Sequence, residues 1–237
     1  GNVIDELMTW IKLIKERVSE CTDKIKRGGA DKLEALRAAA AERAGMSKDH
    51  ADVRVVEPLM VPLMIVAARY DEFMDVESVR RKPLLCAMRY IAHVHGASLL
   101  CVSRRDKTQL SHFRALLNHY VFRTDRKRTA QTDPARPLMV PAGCDSLEAI
   151  GAPPGASLGD VMEGPIQARV APWRKAVEAY FPRDRSGDAE DAKAGEDEAQ
   201  RWMEPSVDAM RAQKSEELER YVKEAERKLR LEASKKR

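Results

Sequence analysis

A parallel α/β sheet flanked by helices is the fold class the sequence predicts, and three observations predict it. Val61-Pro62-Leu63-Met64-Ile65-Val66-Ala67-Ala68-Arg69-Tyr70-Asp71 is a continuous apolar run that opens on a proline and stops at charge. Proline can begin a strand but not sit in its middle, and apolarity on both faces marks a central strand of a parallel sheet. Ala97-Ser98-Leu99-Leu100-Cys101-Val102 is a second such run. Helical periodicity surrounds both, and connections of this length between strands imply right-handed crossovers.

The elements follow in order. Ile4, Leu7, Ile11, Ile14, Val18, Cys21 and Ile25 recur three and four apart, so one apolar stripe runs along a long first helix. Gly28-Gly29 ends it, and Asp31 caps a second, alanine-rich helix that reaches about Ala44 before Gly45. The stripe lasts about three heptads and a strand follows, so it predicts a helix packed on a sheet rather than a coiled coil. After the first strand, Phe73 to Val79 is an acidic turn. A helix then runs to His95 with Leu84, Leu85, Met88, Ile91 and Ala92 inward and Gly96 as its stop. The second strand ends at Ser103-Arg104-Arg105-Asp106, and Leu110, Phe113, Leu116, Leu117, Tyr120 and Val121 mark one more amphipathic helix.

Beyond Thr124 the character changes. Arg126-Lys127-Arg128 is a short basic cluster of the kind that ends a solvated helix, and Leu138 to Gly143 reads as a short strand or extended segment. Ile150-Gly151-Ala152-Pro153-Pro154-Gly155 can be neither helix nor central strand. A short helix follows near Pro172 to Pro182, with Trp173, Val177 and Tyr180 on one face, expected as core. Arg183 to Gln200 has no aliphatic anchor larger than alanine and reads as a linker. The last stretch is a charged helix with a thin stripe of Val207, Met210, Leu218, Tyr221, Ala225 and Leu229, too sparse to fold alone in water. The predicted organisation is an α/β domain over residues 1–128, a packed extension over 129–182, a charged linker over 183–204 and a partner-docking helix over 205–237, whose contacts are those six stripe residues.

Composition narrows the classes. Charged residues make up 34% of the 237 and the net charge is only +4, with no basic arm interleaved with aromatics, so nucleic acid is not an expected partner. No apolar run approaches the roughly 20 residues that cross a bilayer, which argues against membrane insertion. Asp5, Glu6 and Lys12 interrupt the early apolar stretch, so no signal peptide is expected. Cys21, Cys86, Cys101 and Cys144 form no CxxC pair and each sits among apolar residues, which predicts buried reduced thiols in a cytoplasmic protein. His93 and His95 are two apart and His112 and His119 seven apart, with no cysteine or carboxylate at ligand spacing. These read as surface or half-buried imidazoles and not as a metal site.

No Gly-x-x-x-x-Gly-Lys-Ser/Thr occurs, so nothing in the chain can cradle a nucleotide's phosphates in the familiar way. The order of elements nonetheless resembles the C-terminal half of a Ras-like, P-loop-GTPase-like domain. In that family one strand ends in Asn-Lys-x-Asp, whose aspartate reads guanine, and the next ends in a Ser-Ala-Lys-like loop behind the base. Here Ala68-Arg69-Tyr70-Asp71 and Val102-Ser103-Arg104 stand at those places. The resemblance implies vestigial guanine-reading positions at Arg69, Asp71 and Ser103. Ala68 replaces the asparagine, and Arg69 is not equivalent to lysine. Taken bare, an aspartate after a strand is usually a turn residue.

More specific words narrow the resemblance. Pro62 to Phe73, Ala92-His93-Val94-His95-Gly96-Ala97-Ser98-Leu99, Pro141 to Ser146 and Ile150 to Pro154 are similar to the light intermediate chains of cytoplasmic dynein 2. So are Lys48-Asp49-His50, Met210 to Lys214 and Glu217-Leu218-Glu219. That family has a phosphate-loop-like segment near its N-terminus which this chain lacks, so the chain resembles the later two-thirds of such a protein. The resemblance implies a non-catalytic subunit on the dynein 2 heavy-chain tail, alongside other dynein 2 subunits and intraflagellar transport trains, in the cytoplasm and cilium. It implies no cofactor in this chain, guanine nucleotide being possible only with the missing half. Two alternatives stand beside it, a working GTPase completed by that half and an unrelated helix-rich binding module.

Overall fold

Two helices lead the chain in, α1 (Val3–Lys26) and α2 (Ala30–Arg43), before the first strand, β1 (Met64–Ala68). In this computed structural model the described residues are 3–26, 30–46, 49–125, 129–182 and 204–235. The chain divides into two compact units, residues 1–183 and 184–237. After β1 the first unit continues through α3 (Tyr70–Phe73), α4 (Ser78–Val94), β2 (Ser98–Val102), α5 (Lys107–Phe122), β3 (Met139–Val140), α6 (Leu147–Ile150), α7 (Leu158–Met162) and α8 (Ile166–Glu178). The second unit contains α9 (Pro205–Lys235). Gly28-Gly29, the Arg126-Lys127-Arg128 cluster and the linker up to residue 203 lie outside the described residues.

The sheet is mixed. β1 and β2 are parallel, with Met64 beside Ser98 and Ala68 beside Val102, as two apolar runs joined through a helix require. β3 joins the other side of β2 antiparallel, with Val140 beside Leu99 and Met139 beside Leu100. This corrects two expectations. The sheet is not all parallel, because β3 returns through a long connection and meets β2 from the opposite direction. Nor is β1 the central strand: the order is β1-β2-β3, β2 is buried at all five positions, and Val66 of β1 is 39% exposed. Apolarity on both faces is common to edge and centre when helices cover the sheet, so the pattern alone does not separate them.

Alternation along β2 divides the interior. Leu99 and Cys101 face the large core with α1, α4 and α8, whereas Leu100 and Val102 face a small core completed by Leu116 of α5. Ile4, Met8 and Ile11 bury one face of α1 against that large core, each contributing about 1.5–3 kcal/mol. Asp5 and Glu6 at the first turn and Lys24 and Lys26 at the last oppose the helix dipole favourably.

The axis of the first unit is α4. Every residue from Pro83 to Val94 is buried, where an amphipathic helix with one inward face was expected. The second side is covered by the segment after β3. Trp173 of α8, only 1% exposed, stacks 5.7 Å from the Tyr90 ring, and the Tyr90 hydroxyl donates to the Val161 carbonyl. Val177 is buried with Trp173, while Tyr180 is only half-buried and its carbonyl accepts from Arg80.

Burial also departs from expectation at the thiols and imidazoles. Cys86 and Cys101 are buried, but Cys21 is exposed and Cys144 intermediate. Thr22 takes the inward place on α1 because it lies eleven residues, close to three full turns, beyond Ile11. Its hydroxyl is satisfied by donating to the Val18 carbonyl. His93 and His95 are both buried, because α4 is enclosed on all sides. His93 Nε2 lies 2.8 Å from Asp52 Oδ2, an oxygen that also accepts from the Leu147 backbone N–H at 3.0 Å.

Candidate functional site

The carboxyl ends of β1 and β2 are adjacent because the strands are parallel and in register, so the residues just past Ala68 and Val102 meet. Functional groups of open α/β sheets collect at such ends. Arg69 follows β1 in the left-handed backbone region, φ 57°, and turns the chain directly into α3. That turn brings Asp71 over the end of β2, where Ser103 is buried.

The Ser103 hydroxyl is the principal influence on Asp71. By donating to the carboxylate it holds that carboxyl below the usual carboxylate range, with Asp71 and Glu72 backbone N–H groups and Arg105 acting in the same direction and burial against it. The same hydroxyl accepts from the Arg105 backbone N–H at 3.1 Å. Arg105 Nη1 lies 3.5 Å from Asp71 Oδ2, with its side chain 87% exposed. Asp106 caps α5 by accepting from the Thr108 and Gln109 N–H groups, and the Gln109 amide oxygen accepts from Ser103 N–H at 2.6 Å. Arg69 is committed to its own neighbour, donating from Nε to Glu72 at 2.9 Å.

Asp71 and Ser103, singled out from sequence, are thus brought into direct contact. Arg69 is adjacent in the chain but turned toward Glu72. Arg105 and Gln109 were not singled out. Arg105 was visible only as part of the charged strand end, and Gln109 carried no sequence signal, since its role comes from the loop folding back onto the helix start.

The second candidate surface is α9, the helix of the second unit. Val207, Met210, Leu218 and Tyr221 are 52%, 64%, 65% and 75% exposed, and Ala225 is exposed as well. Leu229 belongs to the helix, but its side chain lies outside the described placements. Val222, adjacent to Tyr221 and 49% exposed, widens the stripe beyond the six residues read from the sequence. Among the described residues no helix is long and apolar enough to cross a membrane, and no cluster of three metal-ligating side chains occurs.

No family model matches the chain. Among curated proteins it is similar to cytoplasmic dynein 2 light intermediate chain 1 of Danio rerio, with 37% identity over 181 residues, 76% of this chain and 49% of that protein. The Bos taurus protein of the same name is 36% identical over 178 residues, and the Homo sapiens one 35% identical over 176 residues, each again covering 74% of this chain and 49% of the relative. The chain spans about half the length of the curated relatives it matches. Identity of this size, sustained over three quarters of the chain in several vertebrate proteins of one name, places the chain in the family of cytoplasmic dynein 2 light intermediate chains.

Proposed function

We propose that the chain is the later part of a non-catalytic motor subunit, a Ras-like scaffold that the dynein 2 heavy-chain tail grips. In this reading the subunit serves retrograde intraflagellar transport and cilium assembly, working in the cytoplasm and along the ciliary axoneme. The observation that carries it is the self-satisfied strand end. Asp71, the carboxylate to which the Ras-like resemblance assigns base reading, is engaged by Ser103 and Arg105, and Arg69 by Glu72. A ligand there would have to displace contacts the protein already makes. The exposed stripe of α9 supports docking, since a thin stripe on a long charged helix is stabilised by a partner's surface rather than by water.

Purification with the dynein 2 heavy-chain tail tests this. Removing residues after Pro205 is expected to leave the first unit folded and to weaken association with the tail. Unchanged co-purification overturns the docking role of α9.

One observation favours a second reading. Asp71 and Ser103 do converge, as a guanine-reading pair would, so a longer protein that supplies the phosphate contacts could bind nucleotide. Guanine nucleotide at one per chain in that longer protein, lost on Asp71→Ala, together with measurable turnover, would establish a GTPase. Nucleotide retained without turnover fits a structural ligand inside the scaffold.

A further inference from the structure

We infer that the apolar face of α9 docks into an apolar groove edged with carboxylates on a partner protein. This rests on the docking reading above and adds the chemistry of the partner. Val207, Met210, Leu218, Tyr221 and Ala225 share one side of the helix, spaced by three, four or eight residues, and all are exposed. Three cations lie on the same side: Arg211 four residues after Val207, Lys214 four after Met210, and Lys228 seven after Tyr221.

Six carboxylates occur between Val207 and Lys228, and only Glu217 borders this side, where Lys214 holds it at 2.7 Å. The other five, Asp208, Glu216, Glu219, Glu224 and Glu226, share the rest of the circumference with Arg220, Lys223 and Arg227. The docking face therefore carries an excess of positive charge and the back an excess of negative charge. Covering Arg211 and Lys228 with a purely apolar surface would strand two cations away from water, which is strongly unfavourable, so the surface that covers the stripe must supply carboxylates at its margin.

The same distribution argues against the other occupants. Helices that lie on membranes have a lysine- and arginine-dominated polar face and large anchoring aromatics, whereas the back of α9 is carboxylate-rich and Tyr221 is the stripe's one aromatic. Two copies packed face to face would oppose cation to cation.

The test uses the full chain and the dynein 2 heavy-chain tail, with affinity measured against NaCl concentration. Arg211→Glu with Lys228→Glu is expected to weaken binding on the order of tenfold near ~0.15 M salt and to flatten its salt dependence. Arg220→Glu with Arg227→Glu, on the back of the helix, is expected to change affinity by less than about twofold, as for a rim-distant charge. Far-UV circular dichroism reports whether both variants keep the helix. Equal weakening by the two pairs overturns the inference. So does binding to phosphatidylcholine vesicles that appears only when phosphatidylserine is added, or self-association that the Arg211/Lys228 pair abolishes. If removal of residues after Pro205 leaves tail binding unchanged, the docking reading itself fails. If that removal weakens binding and the charge reversals do not, only the carboxylate-edged groove is lost.

Discussion

Arg89 and Asp145, 56 residues apart in the chain, form a two-pronged ion pair inside the protein. Arg89 Nε donates to Oδ2 at 2.9 Å and Nη2 to Oδ1 at 2.7 Å, and both side chains are less than 5% exposed. The remaining nitrogen, Nη1, donates to the Thr132 carbonyl at 3.3 Å. The planar guanidinium thus ties the middle of α4 to two points of the segment after α5, with a geometry lysine could not reproduce.

Breaking that pair from one side should be costly. Asp145→Ala leaves a buried guanidinium without its carboxylate, and the expected loss is about 3–5 kcal/mol of unfolding free energy, measured by urea titration. Replacing both partners with apolar residues of similar volume should cost much less, because the penalty comes from the stranded charge. A single variant as stable as the double one would show that the pair does not fasten the segment.

Asp52 is a second buried carboxylate on which distant segments depend. Its Oδ2 serves both His93 Nε2 and the Leu147 N–H, so Asp52→Ala orphans two buried groups at once. A loss of roughly 2–6 kcal/mol is expected, as thermal unfolding would show, at about 1–3 kcal/mol for each of the two orphaned groups.

His95 predicts a pH dependence. It is 1% exposed with neither ring nitrogen hydrogen-bonded, and burial, reinforced by the Lys15 and Arg169 charges, pushes its imidazole down to about 3. In the unfolded chain the same group titrates near ~6.5. Between those values the unfolded chain holds a proton that the folded one refuses, so stability is complete above about pH 6.5 and is lost as pH falls toward 3. His95→Leu should flatten the stability profile in this window by up to about 1.4 kcal/mol per pH unit relative to the parent chain. Parallel profiles for the two would sink the assignment.

Two glycines separate strain from collision. Gly151 and Gly143 have φ of +79° and +76°, but a Cβ on Gly151 meets open space, whereas on Gly143 it would lie 2.8 Å from Gly45 N and 2.9 Å from Ala44 C. Gly151 pairs its positive φ with ψ −173°, a region that is essentially glycine's alone, so Gly151→Ala should cost about 1–3 kcal/mol from backbone strain with no collision. Gly143→Ala adds a backbone clash at the end of α2 and should cost about 1–3 kcal/mol more. Equal melting temperatures would mean that residues 44–45 and 143 do not approach this closely.

The local pattern settled what depends on local periodicity. The two apolar runs declared β1 and β2, the three-and-four spacing declared α1, α4 and α5, and the charged stops placed Asp71 and Ser103 past the strand ends. Their contact followed from one inference, that strands joined through a helix run parallel. Only the tertiary structure decided which strand is central, because β3, two residues long, is what makes β2 the middle and leaves β1 at the edge. It also decided that α4 is enclosed on every side, which buries His93, His95 and Arg89 and gives each its unusual environment. Those outcomes come from pairings such as Arg89 with Asp145 and Tyr90 with Val161, made across 56 and 71 residues. No window of neighbouring residues contains both partners, and burial of a polar group is set by whichever distant segment covers it.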